Sequence, residues 1–283
     1  MKVVCTEKSQ ILAVRIADEL GVQVADTRFA RFPDGELYLQ VLDPLDDETV
    51  IVGSVTDNDA FIQLMLLVDA CETTTNTLVI PYLGYARQDK KFKDGEPVSA
   101  RVAARALSRG VTDVITVNIH EKDIAGHFDV PSHDLSLATE IGEYLKGRNL
   151  DNPLILAPDS GAADFAAEIA AAGGWQCDYL KKTRISGEEV RMEPKTFDVS
   201  GREVVITDDI ISTGGTLATA TKMLYAQGAA AVHAICVHGV FTGGAYVHLR
   251  SAGVKSVVCS DTIERACSEV SAARCIAAAL RKC

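Results

Sequence analysis

The sequence has 283 residues, of which 47% are hydrophobic and 24% are charged, and its formal net charge is −11. This composition is typical of a globular protein, and the length accommodates two domains of ordinary size. The acidic balance disfavours a nucleic-acid partner, because that binding requires an extended basic surface. The N-terminal segment lacks the apolar core of a signal peptide and no run reaches membrane-spanning length, so we expect a cytoplasmic protein without a membrane partner.

The eight cysteines are scattered along the chain, and no C-x-x-C pair occurs. This spacing argues against a zinc site or a dithiol redox motif. Several cysteines fall in apolar stretches, which is typical of free thiols packed inside a protein from a reducing compartment.

Short apolar runs alternate with helical patterns along the chain, which predicts parallel sheets flanked by helices. About nine strands are expected, too many for one small domain, and the polar stretch 146–153 gives the best boundary. We therefore expect two similar doubly wound α/β domains, 1–146 and 147–262, with a C-terminal segment 263–283, helical over 263–280, that could pack on either. The predicted strands are 2–5, 50–54, 77–81, 113–118, 154–157, 176–180, 203–207, 231–237 and 256–259, and the predicted helices before the last are 9–20, 59–70, 98–108, 136–146, 162–172 and 216–227.

A turn near the N-terminus is the first candidate for a functional segment. Pro33, Asp34 and Gly35 form a turn signature, and the alternating residues that follow predict a β-hairpin over 29–41. By itself, a turn of this composition indicates nothing about function.

A basic loop follows the predicted strand 77–81. It gathers Arg87, Lys90, Lys91 and Lys93, an unusual concentration of cations in an acidic protein. Such a run usually forms a solvated surface. Phosphate binding is the competing interpretation, because the loop directly follows a core strand and arginine makes bidentate contacts with phosphate.

Two further predicted strands end at polar residues, His120 and Asp159. A histidine at a strand end is more often a hydrogen-bonded structural residue than a ligand. Asp159 precedes a glycine turn and an alanine-rich helix, so a helix N-cap is one interpretation of it.

The segment 204–217, V-V-I-T-D-D-I-I-S-T-G-G-T-L, carries the strongest functional signal. A glycine-rich turn between a buried strand and a helix binds anions, because its free N–H groups and the helix dipole point outward. Asp208 and Asp209 would repel a phosphate, so we expect them to face hydroxyls or a metal. A phosphorylated sugar has both kinds of group, whereas the simpler alternative is that the two acids only cap a strand–turn–helix unit.

This segment resembles the ribose-phosphate loop of type I phosphoribosyltransferases and of ribose-phosphate pyrophosphokinases (PRPP synthetases), although many relatives carry Asp at the position of Ser212. The segment 81–92, P-Y-L-G-Y-A-R-Q-D-K-K-F, resembles the ATP-binding segment of the pyrophosphokinases alone. Further along the chain, V-N-I-H-E-K-D-I-A-G-H-F-D-V-P and L-A-P-D-S-G-A-A resemble the same family. The chain is therefore identified as a member of the PRPP synthetases, similar in length to archaeal-type members.

The resemblance implies a role for each motif. His120 and Asp159 would bind Mg²⁺, and Lys182 and Arg184, in a polar loop over 181–194, would be the catalytic residues, with Lys181 as a one-residue alternative to Lys182. The implied ATP-binding residues are Phe32, Asp34, Gly35, Glu36, Arg87 and Gln88. The implied ribose 5-phosphate-binding residues are Arg184, Asp208, Asp209, Ser212, Thr213, Gly214, Gly215 and Thr216.

The resemblance also implies the reaction and the assembly. The β,γ-diphosphoryl group of MgATP would pass to the 1-hydroxyl of ribose 5-phosphate, giving PRPP and AMP for nucleotide biosynthesis. The fold would be two domains of the type I phosphoribosyltransferase kind with a flag hairpin, in a dimer-based homo-oligomer whose subunits share the active site. A type I phosphoribosyltransferase and a non-catalytic regulatory relative of the synthetases are the alternatives.

Overall fold

A computed structural model of the chain describes residues 1–184, 190–194 and 197–282, apart from the side chains of 182–184 and 190–194. It divides into two compact units. Unit 1 comprises Met1–Ser136, Asp261–Glu264 and the C-terminal segment from Ser271, and unit 2 comprises Leu137–Ser260 and Arg265–Val270. The division falls before Leu137, whereas the sequence places the boundary after residue 146.

The strands are β1 (Lys2–Cys5), β2 (Gln23–Val24), β3 (Thr27–Arg31), β4 (Leu37–Val41), β5 (Glu48–Val52), β6 (Thr75–Ile80), β7 (Asp113–Val117), β8 (Ser132–Leu135), β9 (Leu154–Ala157), β10 (Gln176–Arg184), β11 (Val190–Pro194), β12 (Glu203–Ile211), β13 (Ala231–Gly239), β14 (Ser256–Ser260) and β15 (Ser268–Val270). The α-helices are α1 (Gln10–Leu20), α2 (Asn58–Ala70), α3 (Ser99–Leu107), α4 (Ala138–Lys146), α5 (Ala163–Gly173), α6 (Gly215–Ala226), α7 (Ala245–Ser251) and α8 (Ala273–Leu280). Among the described residues, no helix combines the length and the apolar composition needed to cross a membrane.

Unit 1 is built on a six-stranded parallel sheet in the order β2-β1-β5-β6-β7-β8. Its central strands are apolar and buried, as expected for a parallel sheet covered on both faces. Strands β3 and β4 form a separate antiparallel hairpin, which confirms the flag predicted near the N-terminus.

Unit 2 is built on a seven-stranded sheet in the order β11-β10-β9-β12-β13-β14-β15, parallel except for the antiparallel pair β10–β11. All nine residues of β13 are buried. From β9 the chain first adds β10 on one side and later returns to add β12 on the other. This reversal leaves a crevice outside the carboxyl ends of β9 and β12, where open α/β sheets bind their ligands.

The predicted fold class, two doubly wound parallel α/β units with an N-terminal hairpin, is confirmed. The predicted helix over 263–280 is wrong in its first half, since α8 begins at Ala273. The Ser268 hydroxyl accepts from Arg265 N at 2.9 Å and donates to Ser260 O at 2.9 Å, and β15 pairs with β14. Serine side chains that bind nearby backbone groups compete with helix formation, and here a turn and a strand result.

Candidate active site

Asp208 and Asp209 lie within β12, not after its end as the sequence predicts. The strand continues to Ile211 because β13 runs alongside it to Gly239 and pairs with Ile210 and Ile211. Asp208 Oδ1 accepts from Asp209 N at 3.0 Å, and Asp209 Oδ1 accepts from Ile210 N at 2.8 Å. Both side chains are half-buried.

The two carboxylates form an electrostatically strained pair. Burial, the neighbouring Asp209 carboxylate and, more weakly, Asp159 raise the pKa of Asp208 to about 8. The charged form of Asp208 is therefore unfavourable until a cation or several hydroxyl donors compensate it. A site that holds one acid in this state beside a second carboxylate is prepared for a ligand that brings positive charge or O–H groups.

The turn that follows β12 leads directly into α6. Gly214 has φ of 72°, a left-handed conformation that favours glycine, and a Cβ there would lie 3.1 Å from Leu249 Cγ. No side chain among the described residues forms a capping hydrogen bond at the start of α6. The turn is therefore suited to an anion, which would accept from the N–H groups at the helix N-terminus. Of the predicted turn residues, Thr213 and Thr216 are exposed, Ser212 and Gly215 are half-buried, and Gly214 is buried.

A second segment supports this turn from β13, and sequence analysis missed it. Phe241 N donates to Ile211 O at 3.0 Å and Thr242 N donates to Ser212 O at 3.1 Å. The hydroxyls of Ser212 and Thr242 lie 3.3 Å apart. The sequence contains a signal for this support, because T-G-G occurs both at 213–215 and at 242–244, each time after a strand of the same sheet and before a helix.

Asp159 follows β9, the strand that pairs with β12. Its Oδ1 accepts from Gly161 N at 2.8 Å and from Ala162 N at 3.3 Å. The carboxylate therefore stabilises the turn before α5, a role similar to that of an N-cap residue, although the N-cap itself is Ala162. The side chain is exposed and still contributes to the raised pKa of Asp208. Asp159, Asp208 and Asp209 therefore lie in one electrostatic environment at the crevice of unit 2.

The donor set of this crevice is compatible with Mg²⁺. Carboxylate oxygens are its preferred protein ligands, and it is usually held by one or two of them together with water and substrate oxygens. No group of three or more His, Cys, Asp or Glu side chains in the described part of the chain is arranged as a complete metal cage. The exposed carboxylate of Asp159 fits an ion that also binds water and substrate oxygens.

In unit 1, the tip of the β3–β4 hairpin presents an aromatic ring and two carboxylates. Phe32 N donates to Glu36 O at 2.9 Å and Gly35 N donates to Phe32 O at 2.9 Å, which closes the turn. Phe32 is 50% exposed and meets Tyr38 edge-on, with ring centroids 5.8 Å apart. The side chains of Asp34 and Glu36 are exposed as well.

The basic loop begins after β6 with a close approach between two backbone segments. A Cβ at Gly84 would lie 2.3 Å from Val55 O, so only glycine fits there. Arg87 is exposed, which fits both a ligand-binding cation and a solvated surface loop. Gln88 instead binds within the loop, since its amide oxygen accepts from Ser99 Oγ at 3.1 Å.

His120 lies in the exposed turn after β7. Asp134 shapes this turn, because its Oδ1 accepts from Ile119 N at 2.9 Å and from Thr116 Oγ1 at 2.7 Å. Burial raises the pKa of Asp134. Lys182 and Arg184 lie on β10, but their side chains are outside the described part of the chain.

The comparisons with known proteins agree with this architecture. Residues 133–273 match the family described as "Phosphoribosyl transferase domain". The crystal structure of phosphoribosylpyrophosphate synthetase from Mycobacterium smegmatis aligns with a TM-score of 0.85 and 26% identity, covering 99% of this chain and 97% of that one. Fold and site together define an α/β enzyme of the phosphoribosyltransferase kind.

More specific matches narrow this class. Residues 1–110 match the "N-terminal domain of ribose phosphate pyrophosphokinase". A ribose-phosphate pyrophosphokinase of Methanosarcina acetivorans is 47% identical over 285 residues, which is 100% of each chain, and ribose-phosphate pyrophosphokinase 2 of Archaeoglobus fulgidus is 42% identical over 277 residues, which is 98% of this chain and 99% of the relative. This chain belongs to the ribose-phosphate pyrophosphokinase family, as its motifs predict.

Proposed function

We propose that this enzyme transfers the β,γ-diphosphoryl group of ATP to the 1-hydroxyl of ribose 5-phosphate, giving PRPP and AMP for nucleotide biosynthesis. One observation carries the proposal: an acidic pair and an uncapped glycine turn lie together at the crevice of unit 2, in a chain that aligns along its whole length with ribose-phosphate pyrophosphokinases. The acidic pair is suited to the hydroxyls of a phosphorylated sugar, and the glycine turn is suited to its phosphate.

Ribose 5-phosphate binds in the crevice of unit 2. Asp208 and Asp209 accept hydrogen bonds from the ribose 2- and 3-hydroxyls, which compensates the unfavourable charge on the pair. The turn of Ser212, Thr213, Gly214, Gly215 and Thr216 donates backbone N–H groups to the 5-phosphate, with the positive end of the α6 dipole behind them. The carboxylates repel the phosphate, which fixes the direction in which the sugar binds.

ATP binds to residues of unit 1. The half-exposed ring of Phe32 offers a stacking surface for adenine, and the turn of Asp34, Gly35 and Glu36 offers polar groups beside it. Arg87 gives a bidentate contact to phosphate. Gln88 contributes by exchanging its bond with Ser99 for one with the nucleotide.

Mg²⁺ accompanies ATP, with His120 and Asp159 as its protein ligands. When bound, the ion neutralises phosphate charge and orients the diphosphoryl group. Asp159 would supply a hard oxygen donor, the kind that Mg²⁺ prefers, whereas the imidazole of His120 would be a less usual magnesium ligand. Lys182 and Arg184 stabilise the charge that develops during transfer, and Arg184 also contacts the sugar phosphate.

The enzyme is proposed to act in the cytoplasm as a dimer-based homo-oligomer whose subunits share the active site. The cysteines of the described residues are free thiols, which fits a reducing compartment. The exposed aromatic ring at the hairpin tip fits a loop that completes a site on a neighbouring subunit.

A product assay tests the proposed reaction. Purified enzyme with Mg²⁺, ATP and ribose 5-phosphate should release AMP and PRPP in equal amounts, and AMP should not form without the sugar phosphate. A phosphoribosyltransferase would consume PRPP and would not generate AMP from these substrates. A non-catalytic regulatory relative would bind nucleotide without turnover, and either result would refute the proposal.

A further inference from the structure

Two cysteines of unit 2 that the proposed reaction does not use lie in contact. Cys259 is on β14 and Cys267 is in the turn before β15, and their sulfur atoms are 3.7 Å apart. The backbone joins the same two residues, since Cys259 N donates to Cys267 O at 3.0 Å. Seven residues lie between them in the sequence, so no C-x-x-C spacing reveals the pair.

The surroundings of the two thiols differ. Cys267 is half-buried and the neighbouring Arg265 is exposed, whereas Cys259 is buried in the core. A hydrogen bond from Cys259 and the charge of Arg265 lower the pKa of Cys267 to about 7. The same hydrogen bond and burial raise the pKa of Cys259. Cys267 is thus the more accessible of the two thiols and has the lowered pKa, whereas the pKa of its buried neighbour is raised.

Three other cysteines, Cys5, Cys71 and Cys236, lack these properties. Burial raises the pKa of Cys5 to about 12 and of Cys71 to about 11. Cys236 is fully buried, and its pKa is raised as well. Thiols of this kind are inert packing groups, because the thiolate is the nucleophile.

We propose that Cys267 and Cys259 form a site of reversible oxidation by hydroperoxides, in which Cys267 is the attacking sulfur and Cys259 is the resolving thiol. The 3.7 Å separation is van der Waals contact between sulfurs, and a disulfide requires them to close to about 2.05 Å. The backbone hydrogen bond from Cys259 N to Cys267 O holds the two residues side by side.

The chemistry balances with hydrogen peroxide as the oxidant. The Cys267 thiolate attacks one peroxide oxygen, the O–O bond breaks, and the departing hydroxide takes up a proton to leave as water, which gives Cys267 sulfenic acid. The Cys259 sulfur then attacks Cys267 Sγ and the S–O bond breaks. The departing hydroxide takes the Cys259 proton as a second water. Two thiols lose two electrons, and one peroxide is reduced.

The oxidation site lies next to the support of the ribose-phosphate turn. Arg265 Nε donates to Gly239 O at 2.9 Å and its Nη2 donates to Val240 O at 3.0 Å. A Cβ at Gly239 would lie 2.8 Å from Cys259 Sγ, so the thiol packs directly on the end of β13. Phe241, which follows Val240, donates its N–H to Ile211 O just before the turn. Oxidation is therefore expected to disturb the turn and to raise the KM for ribose 5-phosphate. This consequence rests on the proposed function, whereas the oxidation site does not.

Peptide mapping tests the site without any activity measurement. Trypsin cuts after Lys255, Arg265 and Arg274, so Cys259 and Cys267 fall on separate peptides, 256–265 and 266–274, each with a single cysteine. After mild peroxide treatment near neutral pH and alkylation of the remaining thiols, we expect these peptides to be disulfide-linked and dithiothreitol to release them. Unlinked, fully alkylated peptides would overturn the proposal.

Variants assign the two roles. C259A removes the resolving thiol without placing a hydroxyl in the core, so dimedone should trap a sulfenic acid on Cys267. Its formation should need a higher pH than oxidation of the wild type, because the variant lacks the Cys259 hydrogen bond that lowers the pKa of Cys267. C267S should lose no thiols under the same treatment, and C275S should behave as wild type. The assignment would be overturned if dimedone reacted first with another cysteine, or if C267S were oxidised at the wild-type rate. Thermal unfolding curves that match the wild type verify that the variants are folded.

Kinetics test the consequence for the turn. Oxidised wild-type enzyme should show a several-fold higher KM for ribose 5-phosphate, and dithiothreitol should restore the original value. Peroxide-treated C267S should keep its KM. An equal rise of KM in C267S would show that the change arises elsewhere, and an unchanged KM in a fully linked wild-type sample would overturn the coupling.

Discussion

Asp208 lies half-buried on β12 with the carboxylate of Asp209 beside it and that of Asp159 nearby. Neither burial nor the like charges stabilise the folded protein. A residue kept in an unfavourable ionisation state is commonly a ligand-binding or catalytic residue. Asp208 should therefore lower the free energy of unfolding of the protein and increase its affinity for the sugar.

The substitution D208N separates these two effects. The pKa of Asp208 is about 8 in the folded protein and about 3.9 in an unfolded chain, so the folded state binds the extra proton between these values. Stability of the wild type therefore falls as pH rises from about 4 to about 8. We expect D208N to be the more stable protein at pH 8, on the order of 2 kcal/mol or roughly 5 °C in Tm, and to gain little near pH 4.

Calorimetric Tm values across this pH range, in the presence of EDTA, provide the measurement. D18N, at an exposed position on α1, is the matched control and should follow the wild type. A Tm difference between D208N and wild type that stays constant from pH 4 to pH 8 would contradict the raised pKa. D208N should also bind ribose 5-phosphate at least about tenfold more weakly, because a charged hydrogen bond contributes about 1.5–3 kcal/mol.

A second prediction concerns Lys182. Its contact is expected mainly in the transition state, so K182A should lower kcat by about 100-fold or more and change each KM by less than about threefold. Steady-state kinetics in both substrates measures the two effects. K181A is the matched control, because the sequence leaves Lys181 as an alternative; a kcat loss in K181A instead would move the role by one residue.

The turn between β12 and α6 is the functional unit at the scale of secondary structure. Its conformation depends on glycine at position 214, where φ is 72° and Leu249 packs closely. G214A should therefore destabilise the protein by about 1–2 kcal/mol and raise the KM for ribose 5-phosphate about tenfold or more.

Gly174, which ends α5 with φ of 68° and has open space around it, offers the control. G174A carries a similar conformational penalty, so it should lower the free energy of unfolding by about 1 kcal/mol and leave the KM unchanged. Chemical denaturation and kinetics on both variants provide the comparison. Equal KM values for G214A and wild type would place the phosphate elsewhere.

Secondary structure could be predicted where burial alone determines it. The continuous apolar runs that become β1, β9 and β13 were recognisable because parallel strands are buried on both faces. The second half of β12 was not recognisable, because its pairing with β13 continues past two acids that normally end a strand. The false first half of the last helix has a helical apolar pattern, but the hydrogen bonds of Ser268 to the backbone of Arg265 and Ser260 and the pairing of β15 with β14 replace it with a turn and a strand.

The site could be predicted in its chemistry but not in its geometry. The acids and the glycine turn were recognisable from 204–217, and so was a helix N-terminus suited to an anion. That Asp159 affects a carboxylate on β12 follows from strand order, because β9 and β12 are neighbours although β10 and β11 lie between them in sequence. The contact between Thr242 and Ser212 could not be predicted either, because it depends on the pairing of β12 with β13.

At the scale of the whole molecule, unit 1 carries the predicted ATP-binding residues and unit 2 carries the predicted sugar site. The proposed sharing of one active site between subunits can be tested by mixing variants. F32A and D208N should each have much lower activity than the wild type when both substrates are kept below their KM values. In co-refolded or co-expressed mixtures, some sites combine an intact hairpin from one subunit with an intact acidic pair from another, so part of the activity should return. No recovery in a verified mixed oligomer would contradict a shared site.

Diphosphoryl transfer is the central chemical claim, and positional labelling tests it most directly. The enzyme is incubated with Mg²⁺, ribose 5-phosphate and ATP labelled at the β-phosphorus, and the products are separated. The proposal predicts that the β label appears in PRPP and that AMP is unlabelled. Label recovered in ADP, as a simple γ-phosphoryl transfer would give, would contradict it.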